Sequence, residues 1–468
     1  MARRDGQDES ATPSPEPASD AITGDATSDE RPGALVAFRS RDFSVFWGAG
    51  MVSNTGTWMQ TVTVPFVIDQ LTHSTALVGV AAFCAFFPAT VIGPLAGSLS
   101  DRYDRRSLLI WAQLVLMAVA VALWALWASG AATTPLVLGC VVIGGLGAGI
   151  TTAAWQAFVP QLVPRTALLS AVRVNSMQFT AARAFGPALA GLVLATLGPS
   201  YAFAGNALSF LVVIVALTTI RPRPFATTEE HGNVVRHFRE GIRYVRERQV
   251  LVVAVLMVML VALLGVAMVQ LVEPFARHVL DVGAGAYGVM YGGYGAGAVV
   301  GGVFMVWGGD AFRRSHLAVA GLVAMAVGDL ALGLAPVWVV GFAALFVMGA
   351  AQVLTMVSCN TAIQLNVDEG FRGRASSLFT MSFFAAAPIG ALVGGFVGEW
   401  AGLRVTMIGS AVLLVIITGW AVVAYGWLHP LDRSPPAGLA GARPDVERAP
   451  LPTDLDTAGH LVVEPVAD

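Results

Sequence analysis

The sequence predicts an all-α membrane protein with twelve transmembrane helices in two six-helix, pseudo-symmetric bundles. Three observations predict this fold: apolar residues form long blocks, arginines concentrate in alternate connections, and motifs of the first half recur in the second. Of the 468 residues, 56% are hydrophobic and only 12% are charged. A soluble domain carries about 25% charged residues, so the composition alone already indicates a lipid environment.

Each apolar block is long enough to cross a hydrocarbon core, which takes about 20 apolar residues as a helix. The blocks must be helices or a closed barrel, because lipid offers no hydrogen-bond partner for backbone groups. Their continuous apolarity, without alternating polar residues, excludes the barrel. The blocks fall roughly at 42–70, 75–98, 107–128, 135–157, 173–196, 200–220, 249–272, 286–306, 316–334, 337–360, 374–397 and 403–427.

The connections between the blocks alternate in charge. One side carries only Arg277 and Arg404. The positive-inside rule therefore predicts that both termini lie in the cytoplasm. All 27 basic residues of the Lys and Arg class are Arg, which with abundant Ala, Val and Gly indicates a high-GC bacterial coding bias. We therefore expect a bacterial cytoplasmic membrane as the location of this membrane protein. The arginines of the other side are Arg102, Arg105, Arg106, Arg165, Arg221, Arg223, Arg236, Arg239, Arg243, Arg246, Arg248, Arg313, Arg314, Arg372 and Arg374.

The domain organisation follows from these blocks. Residues 1–38 and 429–468 are polar and Pro-rich, so we expect disordered cytoplasmic tails. The two bundles are expected at 39–220 and 249–428. Between them, 221–248 reads as a basic amphipathic helix on the inner membrane face, and a regulatory docking site is the alternative interpretation. The motif Arg105-Arg106-Ser107 recurs as Arg313-Arg314-Ser315, which indicates two parallel repeats, as in transporters.

The connection after helix two carries the motif on which the functional prediction depends. Residues 93–106 resemble the G-x-x-x-D-R-x-G-R-R signature of the major facilitator superfamily, with Asp104 in place of the second Gly. Gly97 would let two helices approach closely, and Asp101 could face the N-terminus of a neighbouring helix. An ordinary basic turn would explain the arginines but not this Gly and Asp. The resemblance implies a conformational latch formed by Gly97, Asp101, Arg102, Arg105 and Arg106, made in one state and broken in the other.

Helix five carries a second resemblance. Residues 175–191, with parts of helix one and of the connection between helices ten and eleven, resemble the transmembrane secretion effector branch, the branch of the enterobactin exporter. Arg183, Gly186, Pro187 and Gly191 further resemble the antiporter motif G-P-x-x-G-G of drug exporters, with Ala190 in place of one Gly. Pro187 would kink the helix. The motif implies export, and plain tight packing is the alternative. Helix five is expected to seal against a close-packing surface of helix eight formed by Gly292, Gly293, Gly295, Gly297 and Gly301.

The cavity candidates follow from the same resemblance, which implies that helices one, four, seven and ten line a central cavity. Scarce charge with abundant Trp, Phe and Met indicates an amphipathic organic substrate, although such residues also serve packing. Arg183 lies near the middle of helix five and would share a polar network with Gln178. The candidates are Asn54, Thr57, Trp58, Gln60, Thr61, Gln178, Gln352, Thr355 and Met356.

Two intramembrane carboxylic acids, Asp69 and Asp329, are the candidates for proton coupling, because desolvation can make a carboxyl group exchange protons near neutral pH. The alternatives for both are rim positions in water or a structural role as partners of outer-loop groups.

The sequence as a whole predicts a secondary active exporter working by alternating access. Its partners would be the lipid bilayer, protons and a small organic molecule such as a drug, siderophore or secondary metabolite. An importer or facilitator on the same fold, or a non-transporting sensor, are the alternatives. No catalytic cluster, metal-ligand set or nucleotide loop is visible in the sequence, so we expect no enzyme and no cofactor, the proton gradient supplying the energy. A net charge of −3 argues against nucleic acid as a partner, and we expect a monomer.

Overall fold

The computed structural model describes residues 35–222, 239, 242–368, 371–424 and 429–432. Within these residues the fold is built of twelve long helices in two sets of six, as predicted. Most of the expected tails and of the basic linker lies outside the described residues. The parts of the tails that are described are folded: Val36–Arg39 and His429–Asp432 form short 3-10 helices, and Ala37 and Leu431 are buried. The helices are α1 Arg41–Thr72, α2 Thr75–Arg102, α3 Arg105–Ala128, α4 Thr134–Phe158, α5 Leu168–Thr196, α6 Pro199–Thr219, α7 Gln249–His278, α8 Ala284–Trp307, α9 Arg314–Leu334, α10 Trp338–Asn366, α11 Arg372–Ala401 and α12 Leu403–Ala424.

Successive helices run in opposite directions, so the bundle has two ends. We call the end where α1 begins the terminal end, and the opposite end, where α1 meets α2, the far end. Side chains tie helix ends together at both. At the terminal end, Arg106 at the start of α3 donates from Nε to the carbonyl oxygen of Leu217 in the last turn of α6, at 2.6 Å. At the far end, Arg404 of α12 donates from Nη1 to the carbonyl oxygen of Gly333 in α9, at 2.8 Å.

The first helix is the most polar of the twelve. The other eleven helices of the described chain are long and apolar enough to cross a membrane by length and composition, and α1 is not among them. With 32 residues it is still long enough, since a helix rises about 1.5 Å per residue. Polar residues such as Asn54, Thr57 and Gln60 lower its apolarity. Helix α1 can carry these polar residues because it packs against α2, α5 and α6.

Helix α7 is irregular in two places. A π-helical turn occupies Val261–Val266, and the helix is interrupted at Gln270 and Leu271 before a short final segment, Val272–His278. Ser410 of α12 donates to the carbonyl oxygen of Leu264 inside the π turn at 2.8 Å. A π turn frees backbone groups that a regular helix would use internally, and here a neighbouring helix supplies one partner.

Small residues set the two seams at which the halves meet. A Cβ atom on Gly191 of α5 would lie 2.6 Å from the Cα of Gly288 in α8, and one on Gly79 of α2 would lie 3.1 Å from the Cα of Gly395 in α11. Such backbone approach is the usual means of helix association in lipid. The predicted contact between helices five and eight is therefore present.

Only part of the predicted glycine surface of helix eight belongs to that seam. Gly292 and Gly295 face Ala188 and Ala184 of α5, as expected. In contrast, Gly293, Gly297 and Gly301 face α10, against Phe342, Phe346 and Ala350. The expectation that all five glycines pack on helix five is wrong for these three, because a helix places residues three and four apart on one face and the intervening ones on another.

The described end of the linker is fixed to the second bundle. The ring of Tyr244 stacks on Phe371 with centroids 4.2 Å apart, and its hydroxyl donates to Oδ2 of Asp368 at 2.9 Å. Arg248 forms an ion pair with the same carboxylate at 2.6 Å. This part of the linker is thus a structural tether between the halves.

We predict that Gly191→Ala destabilises the protein. The added methyl group would meet backbone, which cannot move aside without separating α5 from α8, and overpacking of this kind costs about 1–3 kcal/mol. The apparent melting temperature of the purified protein in detergent measures the effect. Gly302→Ala on α8 is the matched control, because nothing lies within 4 Å of a Cβ there. Equal melting temperatures for both variants would contradict the seam.

Candidate functional site

A polar cluster joins the two halves at mid-height. Arg183 of α5 donates from Nη2 to Oε1 of Gln352 on α10 at 3.0 Å. The hydroxyl of Tyr294 on α8 donates to the same oxygen at 2.6 Å. Gln352 and Tyr294 are almost fully buried. One amide oxygen therefore receives two donors, one from each half of the molecule.

Aromatic rings complete this cluster around the guanidinium group. The Cζ atom of Arg183 lies 5.3 Å from the ring centroid of Trp58 on α1 and 4.9 Å from that of Tyr294. Cation–π contacts of this kind are worth about 2 kcal/mol when desolvated. Trp58 can approach because Gly186 leaves room, since a Cβ there would lie 2.5 Å from the Cβ of Trp58. The Nε atom of Arg183 is buried without a hydrogen-bond partner among the described residues, so the cluster keeps one charged donor available.

The predicted cavity residues divide into two groups. Trp58, Gln352 and Met356 belong to the cluster or touch it; the sulfur of Met356 lies 3.8 Å from Nε2 of Gln352. The hydroxyl groups of Thr57 and Thr61 donate back to carbonyl oxygens of their own helix, as is common for Thr in a helix.

The other candidates pack inside their own bundle. Gln60 accepts a hydrogen bond from Nδ2 of Asn206 on α6 at 2.8 Å, and Nε2 of Gln178 donates to the carbonyl oxygen of Trp47 at 2.7 Å. Thr355 is fully buried and donates to the carbonyl oxygen of Ala351 at 3.2 Å, facing α9. Gln178 bonds to Trp47 and Arg183 bonds to Gln352, so these hydrogen bonds do not join the two residues in the expected network. Asn54 keeps a buried amide nitrogen without an acceptor among the described residues.

The sequence analysis missed the tyrosines of α8. Tyr287, Tyr291 and Tyr294 are all buried, and their hydroxyls reach α1, the break in α7 and the central cluster in turn. The hydroxyl of Tyr291 donates to Oε1 of Gln270 at 3.3 Å. The sequence does contain a signal for this role, because three tyrosines spaced four and three residues apart lie on one helix face. The glycines of the same helix indicated only close packing.

The motif residues lie in the last turns of α2 and at the start of α3. Arg105 donates from Nη1 to the carbonyl oxygen of Ala157 at 3.1 Å and from Nε to that of Ser100 at 3.4 Å. Arg102 is exposed, and nothing lies within 4 Å of a Cβ built on Gly97. The helix is thus not closely packed at Gly97 in this state. The side chain of Asp101 lies outside the described part of the structure.

The structure explains why Asp104 replaces the Gly of the general signature. Its Oδ2 atom accepts from the backbone nitrogen of Ser107 at 2.8 Å and from the Ser107 hydroxyl at 2.7 Å. Asp104 is therefore the N-cap of α3, a position that favours Asp.

The far end is closed by contacts between the halves. Oδ1 of Asp69 on α1 lies 2.7 Å from Nε2 of His278 on α7, and Oδ2 lies 3.4 Å from Nη1 of Arg277. On the other seam, Glu399 of α11 accepts from the Ser74 hydroxyl and the Ala76 nitrogen, both at 3.3 Å. Asp69 is fully buried, so it is not a rim residue in water.

Asp329 is isolated in the second bundle. It is fully buried in α9, and neither carboxyl oxygen has a hydrogen-bond partner in the described chain. Ser410 is its polar neighbour, but the Ser410 hydroxyl donates to the π turn of α7. Asp329 therefore also differs from a rim carboxylate.

Comparison with known proteins agrees with this architecture. The family model described as transmembrane secretion effector matches residues 32–431. The enterobactin exporter EntS of Salmonella typhimurium is 25% identical over 397 residues, covering 81% of this chain and 91% of that protein. The same exporter of Escherichia coli O1:K1 is 24% identical over 379 residues, covering 76% and 87%.

Solved structures share the fold. A bacterial homologue of the human lysosomal transporter Spinster, inward-facing and occupied, has a TM-score of 0.69 at 15% identity, covering 85% of this chain and 99% of that one. The nucleoside transporter NupG has a TM-score of 0.67 at 12% identity, covering 84% and 100%.

The helix count, the doubled architecture and the sequence match over most of the chain agree, and they confirm the predicted family resemblance. The chain belongs to the transmembrane secretion effector family of major facilitator transporters, and it is a membrane transporter rather than an enzyme.

Proposed function

We propose that this protein is a proton-coupled exporter of small amphipathic organic molecules, acting in a bacterial cytoplasmic membrane. The single observation that carries the proposal is the cluster of Arg183, Trp58, Tyr294 and Gln352, which both halves build at mid-height. A charged donor flanked by aromatic rings offers a substrate both an electrostatic contact and an apolar one. A site shared by two halves is also remade whenever the halves rock, as alternating access requires.

The distribution of contacts supports an inward-facing state. Asp69 with His278, and Glu399 with Ser74, join the halves at the far end. Toward the terminal end, α8 turns its glycines to α10 instead of α5, and Met177 on the terminal half of α5 is 69% exposed. We therefore propose that substrate enters the cluster from the terminal end.

The placement of arginines supports a cytoplasmic terminal end. Arg277 and Arg404 at the far end are both engaged, with Asp69 and with the carbonyl oxygen of Gly333. At the terminal end Arg102, Arg165 and Arg243 are exposed. Among the described residues the terminal end carries more arginines than the far end, and an excess of arginines favours the cytoplasmic side. Entry from the terminal end would then mean loading from the cytoplasm and release outside.

The relatives support export as the direction. Two of the similar proteins are enterobactin exporters, at 24–25% identity over most of both chains. Gly186 of α5 packs on α1, and Gly191 packs on α8, the contact with helix eight that the antiporter-like motif implies. We propose siderophores and related secondary metabolites as the first substrates to test.

Asp329 is the proposed proton-binding group. Its carboxyl group is buried without a partner among the described residues. A proton on it would avoid the cost of an unpaired buried charge, which amounts to several kcal/mol. Ionisation would draw a donor to it, and Ser410 is the available one. We propose that Ser410 then leaves the π turn of α7, which couples proton release to the shape of the helix facing α1. Asp69 remains a second candidate, although it is already ion-paired.

Everted membrane vesicles under an imposed pH gradient test the proposal. We expect uptake into the everted vesicles that collapses when the gradient is removed, with dyes, drugs and siderophores as probes. Movement in the opposite direction without any gradient would show a facilitator or importer instead.

We predict that Asp329→Asn abolishes gradient-driven export while leaving exchange of labelled for unlabelled substrate intact. Asn keeps the shape of the side chain but cannot release a proton, so only the coupled step is lost. The control is Asp281→Asn, the same chemical change at an exposed residue whose φ of 51° Asn tolerates. Gradient-driven export at the wild-type rate by Asp329→Asn would rule out this residue as the coupling group.

We predict that Arg105→Ala lowers export about tenfold or more at unchanged expression. Hydrogen bonds to charged groups contribute about 1.5–3 kcal/mol each, so their loss shifts the balance between the two states by at least that factor. Initial export rates in vesicles, normalised to protein amount, measure the effect. Arg165→Ala, an exposed arginine of the same end, is the control. If both variants export like wild type, the latch is wrong.

We predict that Gln352→Leu lowers the apparent melting temperature, whereas Gln352→Glu does not. Leu leaves the Arg183 guanidinium and the Tyr294 hydroxyl without their shared acceptor, and a stranded buried donor costs about 1–3 kcal/mol. Glu keeps an acceptor oxygen and adds an ion pair with Arg183. Thermal unfolding of both variants in detergent is the measurement, and equal destabilisation by Leu and Glu would contradict the shared-acceptor arrangement.

A further inference from the structure

Two histidines and one aspartate meet at the far end, on the seam between α1 and α7. One ligand atom from each of Asp69, His73 and His278 lies within 4.8 Å of the others. Asp69 and His73 come from the end of the first helix of the first half, and His278 ends the first helix of the second half. We propose that these three residues form a binding site for a divalent transition metal of the zinc class, which clamps the two halves together.

The donor set fits this class of metal. Imidazole nitrogen and carboxylate oxygen bind zinc at about 2.0–2.2 Å, and sites with three protein ligands leave one position for water. Neighbouring ligand atoms in such a site lie about 3.4 Å apart, as follows from tetrahedral geometry at these bond lengths. The distances between the three ligand atoms, which are up to 4.8 Å here, must therefore shorten when a metal binds. His73 and His278 are exposed, so rotation of their side chains can close the remaining distance.

The backbone directs His73 back toward Asp69. His73 has a φ of 50°, and its backbone nitrogen donates to the carbonyl oxygen of Asp69 at 2.8 Å. A left-handed conformation is uncommon for a residue other than Gly, although His, like Asn and Asp, adopts it more often than most residues. Here it ends α1 in a tight turn and keeps the His73 ring beside the ring of His278, with centroids 6.3 Å apart.

A second observation points to a ligand. The side chain of Asp69 is fully buried, and its Oδ2 atom has no hydrogen-bond partner in the described residues. Arg277 lies 3.4 Å from that oxygen but without hydrogen-bond geometry. Buried carboxylate oxygens normally have hydrogen-bond partners. Oδ2 of Asp69 has only the ion pair with Arg277 among the described residues, so a cation that enters between the histidines would compete with that guanidinium for the carboxylate.

A metal ion bound at this site would be repelled by a neighbouring positive charge. Arg277 opposes any cation, and its guanidinium lies 5.6 Å from the ring of Phe66. Glu273, almost fully buried, is a nearby acidic residue on the same segment of α7. Neutralising Arg277 should therefore strengthen metal binding, an outcome that a merely structural role of the cluster does not produce.

Metal binding would act on the transport cycle through this seam. The ligands come from both halves, so they meet only while the far end is closed. A ligand shifts a conformational equilibrium toward the state that it binds better. Bound zinc would therefore hold the far-end-closed state.

Isothermal titration of purified full-length protein with Zn²⁺ tests the site, using an affinity tag without histidine. We expect one zinc ion per chain in the wild type. His73→Asn and His278→Ala should each weaken binding about tenfold or more, because even outer partners of metal ligands are worth about 10–100-fold. Asn tolerates the left-handed backbone at position 73, so the fold is kept. Arg277→Gln should bind zinc more tightly than wild type.

His316→Ala is the matched control, since His316 is an exposed histidine at the terminal end. It should bind zinc like the wild type. Melting temperatures without zinc show that each variant is folded, and zinc should raise that of the wild type but not that of His73→Asn. The proposal is overturned if the wild type binds no zinc, or if His316→Ala weakens binding as much as His73→Asn and His278→Ala.

Discussion

The rest of this structure depends on the absence of hydrogen-bond partners in lipid. Every backbone group must be satisfied within the protein, which turns the apolar blocks into twelve helices. The same constraint acts on side chains. Thr57 and Thr61 return their hydrogen bonds to their own helix, and Gln60 is paired with Asn206. The few buried groups without hydrogen-bond partners in the described parts of the chain, Asp329 among them, are therefore the places where function is expected.

The seams between the halves follow from a second property of lipid. Since apolar side chains gain nothing by leaving lipid for another helix, close backbone packing holds helices together. Gly191 with Gly288, and Gly79 with Gly395, provide this packing. The central cluster around Arg183 lies between these seams, so a rocking motion that changes the seams also changes the site.

Charged contacts lie at both ends of the molecule, where we propose that they define the two states of the transport cycle. At the far end Asp69 and His278 hold α1 to α7. At the terminal end Arg105 and Arg106 hold the ends of neighbouring helices within the first bundle. Alternating access requires one end to open as the other closes, and these groups are placed to exchange partners when it does.

The sequence by itself determined the membrane location, the helix order, the doubled architecture and the family, because hydropathy, charge alternation and local motifs are written along one chain. It also predicted that Arg183 would face other helices, since a charge in lipid must. Only the tertiary structure decided that Gln352 and Tyr294 would receive it, that Thr355 and Gln178 would turn into their own bundles, and that His73 would meet His278. These contacts join residues far apart in the sequence. They depend on how each helix is rotated and how it crosses its neighbours, and periodicity along one helix does not fix either.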